Sequence, residues 1–275
     1  MATSVLRRLA NLAPGGFRRS VAGAFLDVKT LPLRLRDPSR RGEPLHMLHN
    51  VGGGDYREVG EHTLRILRDH ADLTAQDQVL DIGCGTGRAA GPLAHFLGPG
   101  GGRYLGFDVS RVGVAMCQRH FRREACVAFV HLDVWNGDYN PTGRVAEADV
   151  RFPADDASID VAFAMSVFTH MRLAGVRSYL AEAGRVLRPG GRLAFTAFTL
   201  NDGRSSPGLF DFTPFETDSG VFDPQAPERS IGHGKAALSV AIEAAGLRVR
   251  RVYQGRWRAP SDYDGTQDLW VAEKV

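Results

Sequence analysis

Segments typical of β-strands alternate with segments typical of helices along most of this chain of 275 residues. The strand-like runs QVLDIG and RYLGFDVS, for example, are followed by the helix-like runs RAAGPLAHFLG and RVGVAMCQRHFRR. The strand-like runs are apolar on both faces, as is typical of parallel strands that helices cover on each side. The pattern therefore predicts an α/β fold, with two closing strands near the C-terminus that are spaced to pair antiparallel.

Composition excludes several classes of protein. The chain is 43% hydrophobic and 24% charged, which suits one large globular domain, and its net charge of +3 is too small to predict a general nucleic-acid partner. Cys84, Cys117 and Cys126 form no CxxC pair, so we expect neither a zinc site nor a disulfide scaffold, and we expect a cytoplasmic location. No apolar run approaches the ~18 residues that a membrane-spanning helix needs.

The N-terminal segment, residues 1–45, differs from the rest of the chain. From Ser4 to Arg41 it is rich in arginine and small apolar residues, with Asp27 and Asp37 as the only acids. This composition fits a membrane-surface helix, an Arg-rich transit peptide, or a helical arm that packs over an enzyme. We favour the helical arm, here called the basic arm, and the membrane-surface helix, in weak contact with a membrane, and the transit peptide remain alternatives.

The turn after the first predicted strand is rich in glycine, with Gly83, Gly85 and Gly87. Glycine lets the backbone approach a ligand, and the helix that follows offers free N–H groups to an anion. Asp81 lies near the end of the first predicted strand, and a charge buried there needs a partner. Asp108 ends the second predicted strand, at the spacing of a carboxylate that accepts hydrogen bonds from ribose hydroxyls. Together they predict a nucleoside pocket at the carboxyl ends of strands 1 and 2.

Five motifs in order carry a family resemblance. The run VLDIGCGTGRAAGPLA, followed by YLGFDVS, FVHLDV, FPADDASIDVAFAMSVFTHM and AGRVLRPGGRLAFTAF, resembles the class I S-adenosylmethionine-dependent methyltransferases over roughly Gln76 to Leu200. The resemblance implies a Rossmann-like seven-stranded sheet of order 3-2-1-4-5-7-6, with strand 7 antiparallel and helices on both faces. It also implies S-adenosyl-L-methionine as the cofactor and S-adenosyl-L-homocysteine as its product.

The resemblance also implies roles for individual residues. The loop that matches Asp81, Gly83, Gly85 and Gly87 holds the amino-acid end of the cofactor in that family, and the acid that matches Asp108 binds the ribose. The acid after strand 3, here Asp133 with Val134, lies by the adenine. The other predicted cofactor contacts are Tyr56, Cys84, Val109 and Ser166. Tyr56 is included because related enzymes use an N-terminal helix as a lid.

Two rival ligands fit less well. A dinucleotide fold usually spaces its glycines G-x-G-x-x-G to seat a pyrophosphate, whereas this turn is G-x-G-x-G, which disfavours NAD. An RNA substrate is disfavoured because MSVFTH stands after strand 4 in place of an Asn-Pro-Pro-aromatic motif. We therefore expect no nucleic-acid partner.

His170 is the main candidate for a catalytic base. It follows strand 4 at the carboxyl edge of the sheet, and an imidazole with a pKa near ~6.5 can take a proton from a hydroxyl. The alternative is that His170 caps the next helix or forms part of the pocket wall. His46 and His49 lack a carboxylate at metal-ligand spacing, so no metal site is predicted.

The predicted organisation is a basic arm (1–45), a lid or helical lead-in (46–75) and a methyltransferase domain (76–275). Residues 135–157 and 201–233 interrupt the alternation with Pro, Gly, Asp and scattered aromatics, which is typical of a cap over a pocket. Within or beside that cap, the predicted substrate contacts are Trp135, Tyr139 and Phe212.

The predicted function is in-line transfer of a methyl group from S-adenosylmethionine to a small-molecule acceptor, which we expect at a hydroxyl oxygen. Two alternatives remain open. One is methylation of a lipid-linked or membrane-delivered acceptor, with the basic arm at an anionic surface. The other is a partner protein that binds S-adenosylmethionine without catalysis.

Overall fold

The computed structural model describes residues 27–28, 31–32, 35–36, 55–137, 139–201, 210–258 and 260–275. Most of the predicted basic arm lies outside these residues, as do His46 and His49. In the continuous part, the helices are α1 (Tyr56–His70), α2 (Ala90–Leu97), α3 (Arg111–His120), α4 (Leu173–Val186) and α5 (Lys235–Ala244). The strands are β1 (Gln78–Ile82), β2 (Arg103–Asp108), β3 (Val127–His131), β4 (Ile159–Ala164), β5 (Leu187–Leu200), β6 (Thr213–Glu216), β7 (Ser219–Val221), β8 (Ile231–Gly234), β9 (Leu247–Tyr253) and β10 (Asp268–Lys274).

The sheet has the predicted order. Strands β3, β2, β1, β4 and β5 lie side by side and are parallel. Strand β10 runs antiparallel to β5 and pairs in turn with β9. Because β9 and β10 are the sixth and seventh strands of the expected fold, the order 3-2-1-4-5-7-6 with an antiparallel seventh strand is confirmed.

Helices cover both faces of the sheet, and each face has its own hydrophobic core. In β1, Leu80 and Ile82 belong to one core, which also includes Val176 and Leu180 of α4. Val79 belongs to the other core, together with apolar side chains of α1, α2 and α3. Side chains alternate between the faces of a strand, so a strand buried on both faces is apolar at successive positions. This explains the runs from which the sheet was predicted.

The sheet also has an extension that the sequence pattern did not predict. Strand β5 is long, and its last residues, Phe198–Leu200, pair in parallel with β8. Strands β7 and β6 continue the sheet beyond β8 as antiparallel neighbours. Part of the predicted cap at 201–233 is therefore strand, although residues 202–209 lie outside the described part of the chain.

Helix α1 is held against the loop that follows β1. Its N-cap residue, Asp55, accepts hydrogen bonds from the backbone N–H groups of Arg57 and Glu58. At Gly60 the helix approaches so closely that a Cβ would lie 2.2 Å from the carbonyl oxygen of Arg88. None of the described helices is both long and apolar enough to cross a membrane.

Candidate active site

A cavity of about 360 Å³ opens at the carboxyl ends of β1, β2 and β4. Ligands of open parallel sheets bind at this edge, where loops follow the strands. Most of the residues predicted for the site form its wall. They are Asp81, Gly83, Cys84, Gly85, Asp108, Val109, Trp135, Tyr139, Ser166 and His170.

The other predicted residues lie behind or beside this wall. Tyr56 is buried, and its hydroxyl donates a 2.8 Å hydrogen bond to the carbonyl oxygen of Thr86. Gly87 packs against α3, where a Cβ would lie 3.0 Å from the sulfur of Cys117. Tyr56 therefore joins α1 to the glycine turn, and Gly87 is the part of the turn that packs against α3.

Two more residues follow β3. The carboxylate of Asp133 accepts hydrogen bonds from Arg144 at 2.7 Å and from Asn140 at 3.3 Å, while Val134 is buried in the core.

Phe212 is buried behind the wall, with its ring centroid 5.2 Å from that of Phe198, which does line the cavity. Phe212 thus supports a lining residue.

The glycine turn has a backbone that most side chains disfavour. Gly83, Gly85 and Gly87 all have positive φ angles, of +76°, +56° and +81°. A Cβ at Gly83 would lie only 2.6 Å from a methyl carbon of Val167, in the loop after β4. The N–H groups of Gly83 and Cys84 both donate to the carbonyl oxygen of Phe107 at 2.9 Å. The turn is therefore fixed to the end of β2, and the lack of a side chain at Gly83 lets Val167 pack against it.

Asp108 joins the two loops that follow β1 and β2. One carboxylate oxygen accepts from the N–H of Gly85 at 2.8 Å, and the other accepts from the N–H of Ser110 at 2.7 Å. The residue is only 8% exposed. Burial raises the pKa of Asp108, and the two N–H groups partly oppose that rise because they stabilise the anion.

Asp81 is a second buried carboxyl group at the same edge. It is 4% exposed and accepts a 2.5 Å hydrogen bond from the hydroxyl of Tyr104. Burial raises the pKa of Asp81 to about 7, the Tyr104 hydrogen bond opposes the rise, and the charge of Asp108 adds to it. A cation in the cavity would favour the ionised form, so the site is suited to an ammonium group.

The thiol of Cys84 also lines the cavity. Its hydrogen bond with Cys117, together with burial, raises the pKa of Cys84 above its usual value. A thiol that stays protonated is a poor nucleophile. Cys84 therefore acts here as a small wall residue.

His170 lies on the short turn Phe168–His170 after β4. Its Nδ1 atom is 2.9 Å from the backbone carbonyl oxygen of Glu228. A carbonyl oxygen only accepts hydrogen bonds, so this contact requires the proton to be on Nδ1 and leaves the lone pair on Nε2. In this tautomer, Nε2 is the nitrogen that can act as a base.

Comparison with known proteins agrees with the family resemblance found in the sequence. The family described as "Methyltransferase domain" matches residues 80–195. This segment contains the glycine turn, Asp108 and the turn that carries His170. Residues 80–195 form a class I S-adenosylmethionine-dependent methyltransferase domain.

One curated relative of the methyltransferase domain is 27-O-demethylrifamycin SV methyltransferase of Amycolatopsis mediterranei, which is 34% identical over 164 residues. That match covers 58% of this chain and 53% of the relative. An O-methyltransferase of Pyrenophora dematioidea is 32% identical over 131 residues, or 47% of this chain and 42% of that protein. The chain thus spans about half the length, or less, of these relatives.

Solved structures support the fold of the methyltransferase domain. The [4+2]-cyclase SpnF has a TM-score of 0.55 and 20% identity, covering 95% of this chain and 97% of its own. The CcbJ methyltransferase of Streptomyces caelestis has a TM-score of 0.52 and 18% identity, covering 83% of this chain and 95% of its own. One of these two proteins is named as a cyclase, so this fold carries more than one activity.

The sequence analysis missed several residues around the site, among them Glu147, Thr169 and His233. Glu147 and Thr169 line the cavity of the methyltransferase domain. His233 is fully buried on β8, and its Nε2 lies 3.0 Å from the carbonyl oxygen of Phe168. A sequence signal for His233 would have required recognition of β8, whose four residues IGHG show no clear strand pattern.

His233 connects the sheet extension to the turn that carries His170. Besides its contact with Phe168, its Nδ1 lies 3.3 Å from the hydroxyl of Ser219 on β7. Burial lowers the pKa of His233, so the neutral ring is the stable form. Because Glu228 holds His170 from the same extension, the extension fixes this turn at two points.

Proposed function

We propose that this chain transfers a methyl group from S-adenosylmethionine to a hydroxyl oxygen of a small molecule. The observation that carries the proposal is the grouping of Asp81, the glycine turn and Asp108 around one cavity of a methyltransferase domain. The names of curated relatives, which include O-methyltransferase, support oxygen as the methylated atom.

The residues of the cavity fit this cofactor. The ionised Asp81 suits the ammonium group at the amino-acid end of this cofactor, and Gly83 and Gly85 give the cavity wall two positions without side chains. Asp108 suits the ribose hydroxyls, because a carboxylate oxygen can accept more than one hydrogen bond. Asp133 and Val134 stay our proposal for the adenine end, and Val109 and Ser166 stay proposed cofactor contacts.

When bound, S-adenosylmethionine supplies a methyl group that a positively charged sulfur already activates. The chain has to hold the acceptor in line with that methyl group, exclude water and accept the proton of the acceptor hydroxyl. We assign the last role to Nε2 of His170, since Glu228 holds the proton on Nδ1. The acceptor leaves as a methyl ether, and His170 carries its proton until solvent removes it.

Helix α1 is our candidate for a lid. Two of its residues, Val59 and Thr63, line the cavity, and Tyr56 at its start is bound to the glycine turn. A helix in this position can exclude water once a ligand is bound. The acceptor side of the cavity is lined by Trp135 and Tyr139, which we retain as proposed substrate contacts. Phe212 packs against Phe198, another residue of the cavity wall.

The direct test is methyl transfer from S-adenosylmethionine carrying an isotope-labelled methyl group to a panel of hydroxylated small molecules. Our proposal predicts a labelled methyl ether and an equal amount of S-adenosylhomocysteine. Binding without transfer to any acceptor would support the non-catalytic alternative. Equal binding to anionic lipid vesicles with and without residues 1–41 would remove the alternative of a membrane-delivered acceptor.

A further inference from the structure

Two side-chain oxygens at the cavity lack hydrogen-bond partners among the described residues. Thr169 is only 1% exposed, and its hydroxyl oxygen is buried without a partner. The amide oxygen of Gln267 is also buried without a partner. Both residues belong to the wall of the cavity described above. Since buried polar atoms are nearly always hydrogen-bonded in folded proteins, both atoms require an explanation.

Two buried threonines of β5 have hydrogen-bond partners, as is usual for buried hydroxyls. The hydroxyl of Thr196 accepts from the N–H of Ser166 at 2.8 Å. The hydroxyl of Thr199 accepts from the indole N–H of Trp270 at 2.9 Å and is fully buried. The hydroxyls of these two threonines thus have partners within the fold. The hydroxyl of Thr169 has none among the described residues.

The two residues belong to different elements that meet at the cavity. Thr169 precedes His170 in the turn after β4. Gln267 precedes β10, whose first residue pairs with Ala197 of β5, so Gln267 stands opposite Phe198. Paired positions of an antiparallel ladder share a face, and Phe198 also lines the cavity. Thr169 is therefore placed next to the proposed base, and Gln267 is placed next to Phe198 in the wall of the same cavity.

We propose that Thr169, Gln267 and Phe198 form an acceptor subsite for molecules that carry a second hydrogen-bonding group besides the one that is methylated. The amide oxygen of Gln267 only accepts, so the ligand has to donate an O–H or N–H group there. Phe198 contacts an apolar part of the same molecule. The substrate class is thus a diol, polyol or amino alcohol with an apolar body. This inference rests on the proposed function of the cavity.

The first test compares two isosteric variants, Thr169→Val and Thr199→Val, by thermal unfolding without ligand. Thr169→Val removes a hydroxyl without a partner, so we expect its unfolding midpoint to rise by roughly 2–4 °C. Thr199→Val leaves the indole N–H of Trp270 without its acceptor, so we expect its midpoint to fall. A lower midpoint for Thr169→Val would overturn the proposal, because its hydroxyl would then serve the fold.

The second test measures whether the hydroxyl serves the cofactor. Calorimetry should give Thr169→Val an affinity for S-adenosylhomocysteine within twofold of the wild type. A loss greater than fivefold would overturn the assignment to the acceptor side. Wild-type protein that binds no S-adenosylhomocysteine would refute the proposed function instead, and the comparison of unfolding midpoints would still test the unpartnered hydroxyl.

The third test uses catechol and phenol as matched probes at saturating S-adenosylhomocysteine. Catechol has the second hydroxyl that the subsite requires, so it should raise the midpoint of the wild type more than phenol does. The difference between catechol and phenol should disappear in Thr169→Val and in Gln267→Leu. Gln267 is only partly buried, so its replacement disturbs the core little. Catechol that stabilises the wild type no more than phenol would overturn the proposal.

Discussion

The ionisation of Asp81 predicts a strong pH dependence of cofactor binding. Burial raises the pKa of this carboxyl group to about 7, whereas its usual value is 3.8. If the ammonium group of S-adenosylhomocysteine binds the ionised form only, the apparent Kd grows by the factor by which protonation depletes that form. This factor is about 11 at pH 6 and about 1.1 at pH 8, so binding should be about tenfold weaker at pH 6, or about 1.4 kcal/mol.

Calorimetric titration at pH 6, 7 and 8 measures this effect. Buffers with different ionisation enthalpies also report the protons released, which should approach about 0.9 per ligand at pH 6. Asp81→Asn is the control: it keeps an oxygen that can accept from Tyr104 but cannot ionise, and its weaker binding should vary much less with pH. The reasoning is refuted if the wild type binds equally at pH 6 and 8, or if Asp81→Asn retains the full dependence.

Three further predictions concern the glycine turn, the sheet extension and the proposed base. Gly83→Ala should weaken binding of S-adenosylhomocysteine at least tenfold in calorimetry, because the new methyl group meets Val167 and φ is +76°; unchanged affinity would contradict the tight packing. Folding lowers the pKa of His233 below its usual value of 6.5. As the pH falls below 6.5, the unfolded state therefore binds a proton at His233 before the folded state does, and the folded state loses stability. In urea unfolding, the stability advantage of the wild type over His233→Gln should therefore shrink between pH 6.5 and pH 5, by up to about 1.4 kcal/mol per pH unit, and a constant advantage would exclude a buried neutral ring. His170→Asn should lower kcat by about 10²- to 10⁴-fold with whichever acceptor turns over, and leave the affinity for S-adenosylhomocysteine unchanged. Full turnover by this variant at every pH tested would show that His170 is not the base.

The parallel sheet was predictable because its strands are buried on both faces. Runs such as VLDIG are apolar at successive positions, and the glycines that follow them are needed where φ is positive. The carboxyl ends of parallel strands meet at one edge, so Asp81, Asp108 and His170 could be placed near one another without coordinates. The structure places all three in the wall of one cavity.

The sheet extension and the far wall of the cavity were not predictable in the same way. Strand β7 has three residues and β8 has four, too few for a period-two pattern among glycines. Thr169 and Gln267 are far apart in sequence and approach the same cavity only because β10 returns antiparallel beside β5. That their side-chain oxygens lack partners can be established only when the positions of all neighbouring hydrogen-bond donors are known. Phe212 illustrates the same limit, since its aromatic character could not show that it lies behind Phe198.

The most direct test of the central claim is calorimetric titration of the purified protein with S-adenosylhomocysteine, repeated on Asp108→Ala and, in parallel, with NAD. We predict binding of one S-adenosylhomocysteine per chain. The affinity should fall strongly in Asp108→Ala, which loses the carboxylate that joins Gly85 to Ser110. NAD should not bind. The account would be contradicted if the wild type bound no S-adenosylhomocysteine, or if NAD bound as tightly.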